Sequence, residues 1–256
     1  MSRTTTAAVA TALLFLTGCG PLQGMAPAPG AAPAPAPGQA VDPEEAAEYM
    51  TALVRFGDPE SMREGLTLTE EDSTAHTYLR HHTQMAAAHA EAGDPLANGS
   101  LEPLDDGFRM CLTGSEGCAD FTDFTAEDDG LLTGFHVEGQ DPGERMVTGH
   151  GVAASSAGVD AVLLTAYQSI IHDTLVVTAE FTTVDDVDLD LPGAGYTTPE
   201  GVRTRVEDAV GEYSLTAGTA TQAVLYFPDA PIGGKLTIGG CLPECSSQVH
   251  LEFPID

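Results

Sequence analysis

The chain contains little positive charge and few aromatic side chains. Its 256 residues include nine lysines and arginines against 39 aspartates and glutamates, no tryptophan, and a formal net charge of −30 at pH 7. A surface this acidic repels nucleic-acid phosphates and anionic lipid headgroups. The composition therefore predicts no nucleic-acid partner and no membrane binding through basic side chains. Hydrophobic residues make up 42% of the chain, which excludes a disordered acidic tail.

The short motifs of several enzyme classes are also missing. The sequence contains no G-x-S-x-G, H-E-x-x-H, P-loop or G-x-G-x-x-G pattern. We therefore predict no cofactor, and the sequence specifies no particular reaction.

The N-terminal residues have the pattern of an export signal. Arg3 supplies a positive charge, residues 7–16 are largely apolar, and small residues follow. A membrane-spanning helix needs about 20 apolar residues, so this run is too short to cross a bilayer.

The segment Leu16-Thr17-Gly18-Cys19 follows the apolar run directly. It resembles the lipobox of bacterial, actinobacterial-type lipoproteins. The resemblance implies removal of residues 1–18 and a diacylglycerol on Cys19, whose two acyl chains anchor a protein stably on the outer face of the cell membrane. The alternative is an ordinary signal peptide cleaved near Gly18, which leaves Cys19 unmodified.

Residues 19–41 form a tether in this interpretation. Prolines alternate with alanine and glycine there, and no charged residue occurs before Asp42. This composition favours extended polyproline II, which spans about 3.1 Å per residue. We expect a semi-rigid spacer that holds the folded part away from the membrane.

The remaining four of the five cysteines are an even number in an exported protein. Three pairings are possible, and we predict the local one, Cys111 with Cys118 and Cys241 with Cys245. A zinc site is the alternative. Neither spacing is C-x-x-C, and an oxidising exterior favours disulfides.

Residues 42–148 change from a helical to a strand pattern. Asp42-Pro43 and Asp58-Pro59 each predict a helix start, and Thr69 is predicted to cap a longer helix that ends near Gly93. From residue 108 onwards apolar residues alternate with polar ones. Helices followed by antiparallel strands predict an α+β domain.

The segments Phe121-Thr122-Asp123-Phe124, Asp129-Gly130 and 131–140 resemble the terminal hairpin of small exported members of the NTF2-like superfamily. The resemblance implies a cone in which N-terminal helices are wrapped by a curved sheet over residues 42–148. Members include isomerases, hydratases and non-enzymatic binding modules, so the resemblance implies a pocket rather than a reaction.

Residues 149–256 carry short strand patterns separated by turn residues, which predict an all-β sandwich. Residues 215–218 and 223–228 resemble the late strands of Ig-like domains on Gram-positive surface lipoproteins. Those domains are generally structural or adhesive. Residues 202–210 fit either a short helix or a strand.

Histidines and a methionine lie on the third predicted helix. His82, Met85 and His89 share one face, and His81, Met85 and His89 lie close to another. Histidine with methionine suits copper or another soft metal. His82 and His89 are two turns apart, about 10.5 Å, so one ion needs ligands from elsewhere. The alternative is a helix that buries Ala75, Tyr78, Met85 and Ala86 while the histidines border that face.

The acidic run 185–190 allows two interpretations, a calcium-binding loop and an edge strand. Asp186, Asp188 and Asp190 match the first ligands of an EF-hand loop, but Leu191 and Thr197 occupy the glycine and glutamate positions. We predict an edge strand with an acidic outer face, with a looser calcium site as the alternative.

Two functions follow from the sequence. The first is a membrane-anchored, non-enzymatic lipoprotein that binds a small molecule or another envelope protein. The second is an envelope lyase or isomerase with His76, Asp72 and His136 as acid–base groups in the cone. We expect an enzyme to bring two of these three side chains together in a polar pocket.

Overall fold

The structure is a computed structural model and describes residues 39–112, 117–149, 151 and 153–256. The predicted signal, Cys19 and almost all of the tether lie outside these residues. Within the described residues no helix is long and apolar enough to cross a bilayer.

After a two-residue strand, the described chain begins with helices. They are α1 (Pro43–Leu53), α2 (Pro59–Glu64) and α3 (Thr74–Glu91). The side chain of Asp42 accepts a hydrogen bond from the Glu44 amide, and Asp58 accepts one from the Ser61 amide. Each cap precedes a proline whose φ suits the first helical turn, so both predicted starts are confirmed.

The predicted cap of α3 at Thr69 is wrong. Ser73 is the cap, and its hydroxyl accepts the His76 amide at 3.1 Å. Asp72 has a φ of 64°, a left-handed conformation that interrupts any right-handed helix, so α3 begins only after it. Thr69 instead follows a short 3₁₀ turn, Gly65–Leu68.

A first antiparallel sheet, sheet A, has one short strand before the helices and four strands after them. Its strands are β1 (Gln39–Ala40), β2 (Ser100–Leu104), β3 (Gly107–Cys111), β4 (Cys118–Ala126) and β5 (Leu132–Val137). The strands β2 to β5 pair in sequence order, and β1 pairs with the end of β4. The order of helices before β2 to β5 is the order that the sequence predicts.

Two more antiparallel sheets contain the rest of the chain. Sheet B contains β6 (Met146–Thr148), β7 (Ala153–Ser156), β8 (Val159–Gln168), β9 (Leu175–Thr183), β12 (Asp208–Val210) and β14 (Ala220–Phe227). Sheet C contains β10 (Val187–Thr197), β11 (Arg203–Arg205), β13 (Ser214–Leu215), β15 (Lys235–Cys241) and β16 (Gln248–Pro254). The segment 202–210 therefore forms strands.

Side chains of sheets B and C fill one core between them. Phe181, Leu225 and Phe227 from sheet B pack with Tyr196 and Phe253 from sheet C. Each of these side chains is almost fully buried. Burial of this kind contributes about 25 cal/mol for each Å² of apolar surface and is the main stabilising term for a sandwich.

A second core lies between the helices and sheet A. Tyr49 and Tyr78 pack there with Phe121 and Phe135, and Tyr167 from β8 of sheet B joins the same cluster. The aromatic rings meet mostly edge to face, with Tyr78 and Phe135 centroids 5.2 Å apart. The backbone of Tyr167 belongs to sheet B, which forms the first core, while its side chain is part of the second core. Tyr167 therefore connects the two cores.

Helix α3 contacts sheet A on one side and sheet B on the other. It packs on β5 of sheet A and on β8, β9 and β14 of sheet B. The strand β6 precedes the predicted domain boundary at residue 148 yet pairs with β8, with Met146 opposite Tyr167. All described residues belong to one compact unit, and the division into residues 42–148 and 149–256 stays a prediction.

Both predicted cysteine pairs are confirmed. Cys111 is joined to Cys118 at the end of the β3–β4 hairpin, and Cys241 is joined to Cys245 just after β15. The thiols that the zinc alternative needs are therefore held in disulfides.

The acidic strand is not at an edge. β10 pairs with β15 on one side and with β11 and β13 on the other. The predicted alternation itself is confirmed, because Val187 and Leu189 are buried while Asp188 and Asp190 are exposed. The short strands β11 and β13 cover the side that the sequence pattern left open.

Candidate functional site

A cavity of about 700 Å³ lies along α3. We call it the α3 cavity. Phe56 and Met110 line it from the side of sheet A, and Tyr167, Val176 and Tyr226 line it from sheet B. Ligand sites in proteins commonly occupy 300–1,000 Å³, so the volume suits a drug-sized molecule.

The helix presents His82, Met85 and His89 to the cavity, together with His81. The first three share one face because they lie three and four residues apart, as the sequence predicts. The expectation that the histidines only border the buried face is wrong for two of them. His81 is 0% exposed and His89 is 7% exposed, because sheet B covers the side of α3 opposite to sheet A.

His81 is held by a chain of buried hydroxyl and amide groups. Its Nδ1 lies 2.8 Å from Thr165 Oγ1, which lies 2.7 Å from Thr178 Oγ1, and Thr178 Oγ1 lies 3.0 Å from Gln84 Oε1. Each hydroxyl has one proton to donate, and Gln84 Oε1 only accepts. If His81 Nδ1 carries the ring proton, each of the three contacts contains one proton.

With the opposite tautomer only the two hydroxyl protons are available, so one of these three contacts contains no proton. We therefore assign the ring proton of His81 to Nδ1 from this hydrogen-bond pattern. Its Nε2 is then a bare acceptor, and this atom is buried without a partner. Burial, and next the neighbouring His82, lower the pKa of His81 well below its usual range, so the ring is neutral at pH 7.

His82 lies in the aromatic part of the cavity. Its ring centroid is 4.4 Å from that of Tyr78 and 5.7 Å from that of Phe56, the latter edge to face. Both ring nitrogens are buried and lack a hydrogen-bond partner, although the residue as a whole is only half-buried. Desolvation lowers the pKa of His82 to about 4.

His89 lies about two turns further along α3, beside Tyr226. Its Nε2 is 2.9 Å from the Tyr226 hydroxyl. Burial, followed by the charge of Asp208, raises the pKa of Tyr226, so the hydroxyl keeps its proton at neutral pH. The other ring nitrogen of His89, Nδ1, is buried and has no hydrogen-bond partner.

The histidines do not form a metal cluster. Among the described residues no three His, Cys, Asp or Glu side chains lie close enough together to hold one ion. The four residues of the metal hypothesis, His81, His82, Met85 and His89, all line the α3 cavity. In the described part of the chain their histidines are not close enough together to bind one ion, so the metal site stays a prediction.

Two of the three predicted acid–base residues are near each other, since the charge of Asp72 acts on the pKa of His76, and His136 pairs with a different carboxylate. His76 Nδ1 lies 3.0 Å from the Thr69 hydroxyl, and burial, followed by the charge of Arg80, lowers the pKa of His76. His136 Nδ1 pairs at 2.9 Å with Asp123 on the surface of sheet A. In the described residues no hydrogen bond joins His76, Asp72 and His136 to one another, and none of them lines the α3 cavity.

No protein-family model matches the chain, and neither the curated proteins nor the solved structures include a significant match. The interpretation of the cavity therefore depends on its own residues.

The mouth of the cavity lies at the β3–β4 hairpin and the β8–β9 turn. Leu112 and Ile171 line the cavity and are 39% and 42% exposed. Such exposure of large apolar side chains at a cavity rim is typical of a binding site. The disulfide between Cys111 and Cys118 closes the hairpin directly beside Leu112.

Replacing Cys111 and Cys118 by serine is expected to lower the free energy of unfolding by about 2–3 kcal/mol, because the disulfide restricts the unfolded chain. Amide exchange should also accelerate at the cavity end of the β3–β4 hairpin, measured by mass spectrometry beside urea denaturation. The matched control replaces Cys241 and Cys245 by serine. Unchanged hairpin exchange in the first variant would show that the disulfide does not order the cavity mouth.

The acidic run makes local hydrogen bonds. Asp186 accepts the Ala217 amide at 2.8 Å, Asp188 accepts the Ser214 hydroxyl at 2.6 Å, and Asp190 accepts the Gly193 amide at 3.0 Å. These contacts order turns and a strand pair of sheet C. Among the described residues no three carboxylate, imidazole or thiol side chains are close enough together to bind one ion, and the looser calcium site stays a prediction.

Sequence reasoning missed the cavity residues that follow residue 149. Tyr167, Val176, Asp208 and Tyr226 come from sheet B, and no motif marks them. One sequence signal was present at the start of β9, where Leu175, Val176 and Val177 form an unbroken apolar run. Such a run is typical of a strand covered on both faces, and residues 175–179 are all buried.

Proposed function

We propose that the chain is a lipid-anchored envelope protein that binds a small, largely apolar molecule in the α3 cavity and catalyses no reaction on it. One observation carries this proposal. The cavity combines apolar and aromatic walls with buried imidazole nitrogens that have no partner.

Buried polar atoms in native proteins are nearly always hydrogen-bonded, and each unsatisfied one costs about 1–3 kcal/mol. His81, His82 and His89 together contribute four unpaired nitrogens at one cavity. In our tautomer assignment they include an acceptor on His81, and neutral His82 offers one donor and one acceptor. A ligand with a hydroxyl or amino group on an apolar body would satisfy some of them.

The location of this binding module rests on the N-terminal sequence. A diacylglycerol on Cys19 would anchor the chain, and the proline-rich tether would hold the cavity away from the membrane. Accessibility to membrane-impermeant protease on intact cells, lost after Cys19→Ser, tests this placement.

We also propose that residues 42–148 follow the NTF2-like pattern and residues 149–256 an Ig-like one. The order of helices before β2 to β5 of sheet A, and the packing of sheet B on sheet C, support this assignment. An NTF2-like cone with a pocket is compatible with binding and does not require catalysis.

N-phenyl-1-naphthylamine, a neutral dye that fluoresces in apolar surroundings, tests the binding function. We expect saturable binding to the whole chain carrying Cys19→Ser, which removes acylation as a source of competing lipid. The expected dissociation constant is on the order of 10 µM for a molecule of this size. Exposed Ala97 lines the cavity, so Ala97→Trp should weaken binding at least about tenfold by occupying it.

The matched control is Ala217→Trp. Ala217 is exposed in the turn between β13 and β14 and does not line the α3 cavity. It should leave dye binding unchanged. Equal weakening by both variants, or no saturable binding to the folded protein, would contradict the proposed function.

A further inference from the structure

We infer that the α3 cavity selects an amphiphilic organic cation, with its ammonium group beside Glu207 and Asp208 and its apolar body among the aromatic rings near His82. This inference rests on the proposed function and specifies the ligand class for the same cavity.

The cavity has two chemically different ends. The His82 end is formed by rings, with Tyr78, Phe56 and Tyr167 within about 6 Å of the His82 ring centroid. The His89 end, about 10 Å further along α3, contains the Tyr226 hydroxyl and the residues of β12. A ligand that satisfies both ends has an apolar part and a polar part.

The polar end carries negative charge. Glu207 and Asp208 are exposed and line the cavity where β12 pairs with β14, and Asp208 lies opposite Tyr226. Among the described lining residues there is no lysine or arginine. A cation entering here meets two carboxylates without a competing positive side chain in the lining.

The guanidinium that acts on the Tyr167 hydroxyl is already paired. Arg145 influences the Tyr167 hydroxyl, and it binds Asp173 at 3.2 Å and Gln140 at 3.1 Å. His81 and His82 are uncharged at neutral pH, so neither repels a cation. With histidine counted as neutral, the formal charge of the lining is negative, because it contains Glu207 and Asp208 and no lysine or arginine.

An aromatic ring adds a second attraction. Tyr226 lines the cavity at the polar end, opposite Asp208 on the neighbouring strand. A cation within about 6 Å of the face of such a ring is stabilised by the ring quadrupole, and more so where water is excluded. The net charge of −30 also raises the local concentration of cations around the protein. Anionic ligands meet the opposite of each of these effects.

Three compounds with one carbon skeleton test the inference by isothermal titration of the whole chain carrying Cys19→Ser. They are 4-phenylbutan-1-amine, a cation at pH 7, the neutral 4-phenylbutan-1-ol and the anion 4-phenylbutanoate. We expect the amine to bind about tenfold more tightly than the alcohol at low ionic strength, and the carboxylate to bind weakest. The preference should shrink to about threefold or less in 0.5 M salt, because exposed carboxylates are screened.

The double variant Glu207→Gln with Asp208→Asn should reduce the amine-over-alcohol preference to about threefold or less. The matched control, Glu48→Gln with Glu200→Gln, removes the same charge from two exposed residues outside the lining and should retain most of the preference.

The outcomes separate the two proposals. If the alcohol binds as tightly as the amine, or if both double variants lower the preference equally, the cation inference is wrong and the binding function stands. If none of the three compounds and no dye binds to the folded protein, the binding function is wrong as well.

Discussion

Replacing His82 by phenylalanine will make the protein more resistant to unfolding in acid. An unfolded histidine has a pKa of about 6.5, whereas burial lowers the pKa of His82 in the folded protein to about 4. Between these values the unfolded chain binds more protons than the folded chain. The unmodified protein therefore loses unfolding free energy as the pH falls from about 6.5 to 4, by up to about 3 kcal/mol for this residue.

Phenylalanine carries no proton and suits the ring contacts of His82 with Tyr78 and Phe56. Urea denaturation at several pH values measures the difference in unfolding free energy between variant and parent. This difference should grow by about 3 kcal/mol from pH 7 to pH 4. Acidification also changes the repulsion among the carboxylates, but both proteins share that change.

The control for this experiment is His250→Phe. His250 is exposed on sheet C, so its replacement should give nearly the same difference from the parent at each pH. A flat profile for His82→Phe would mean that His82 is hydrated and titrates normally in the folded protein.

The second large effect is expected for Tyr167→Ala. Tyr167 is 4% exposed and joins the core of the helices and sheet A from strand β8 of sheet B. Removing a large buried aromatic side chain costs about 3–5 kcal/mol through lost burial and the cavity left behind. The matched variant Tyr213→Ala removes a tyrosine that is 55% exposed and should cost less than about 0.5 kcal/mol.

Urea denaturation measures both losses, and dye binding reports on the cavity. We expect Tyr167→Ala to weaken dye binding because one aromatic wall disappears. Similar stabilities for the two alanine variants would show that the two cores are held together by other contacts.

Local signals in the sequence predicted local structure well. Asp42 and Asp58 each precede a proline, and that combination satisfies the first turn of a helix without help from the rest of the chain. The cysteine pairs are only seven and four residues apart, so their pairing also depends on nearby chain. The spacing of His82, Met85 and His89 gave their common face correctly.

Features that depend on distant chain were not predictable in the same way. Thr69 and Ser73 are both good caps by residue type, and the left-handed conformation of Asp72 decides between them. From the sequence we expected His81 to lie at the border of the buried face of α3. Its hydrogen-bond partner, Thr165, is 84 residues away in the sequence, so local patterns do not reveal its burial. The sequence of α3 alone does not reveal that a second sheet covers it.

The salt bridge between Lys235 and Glu252 has a practical consequence for the binding measurements. Lys235 is the only lysine of the chain, lies on strand β15 and has 48% of its side chain exposed. Chemistry directed at side-chain amines will therefore attach a fluorophore or a sensor surface at a single position. Because Lys235 does not line the α3 cavity, such a conjugate presents the whole population of molecules in one orientation with the cavity open.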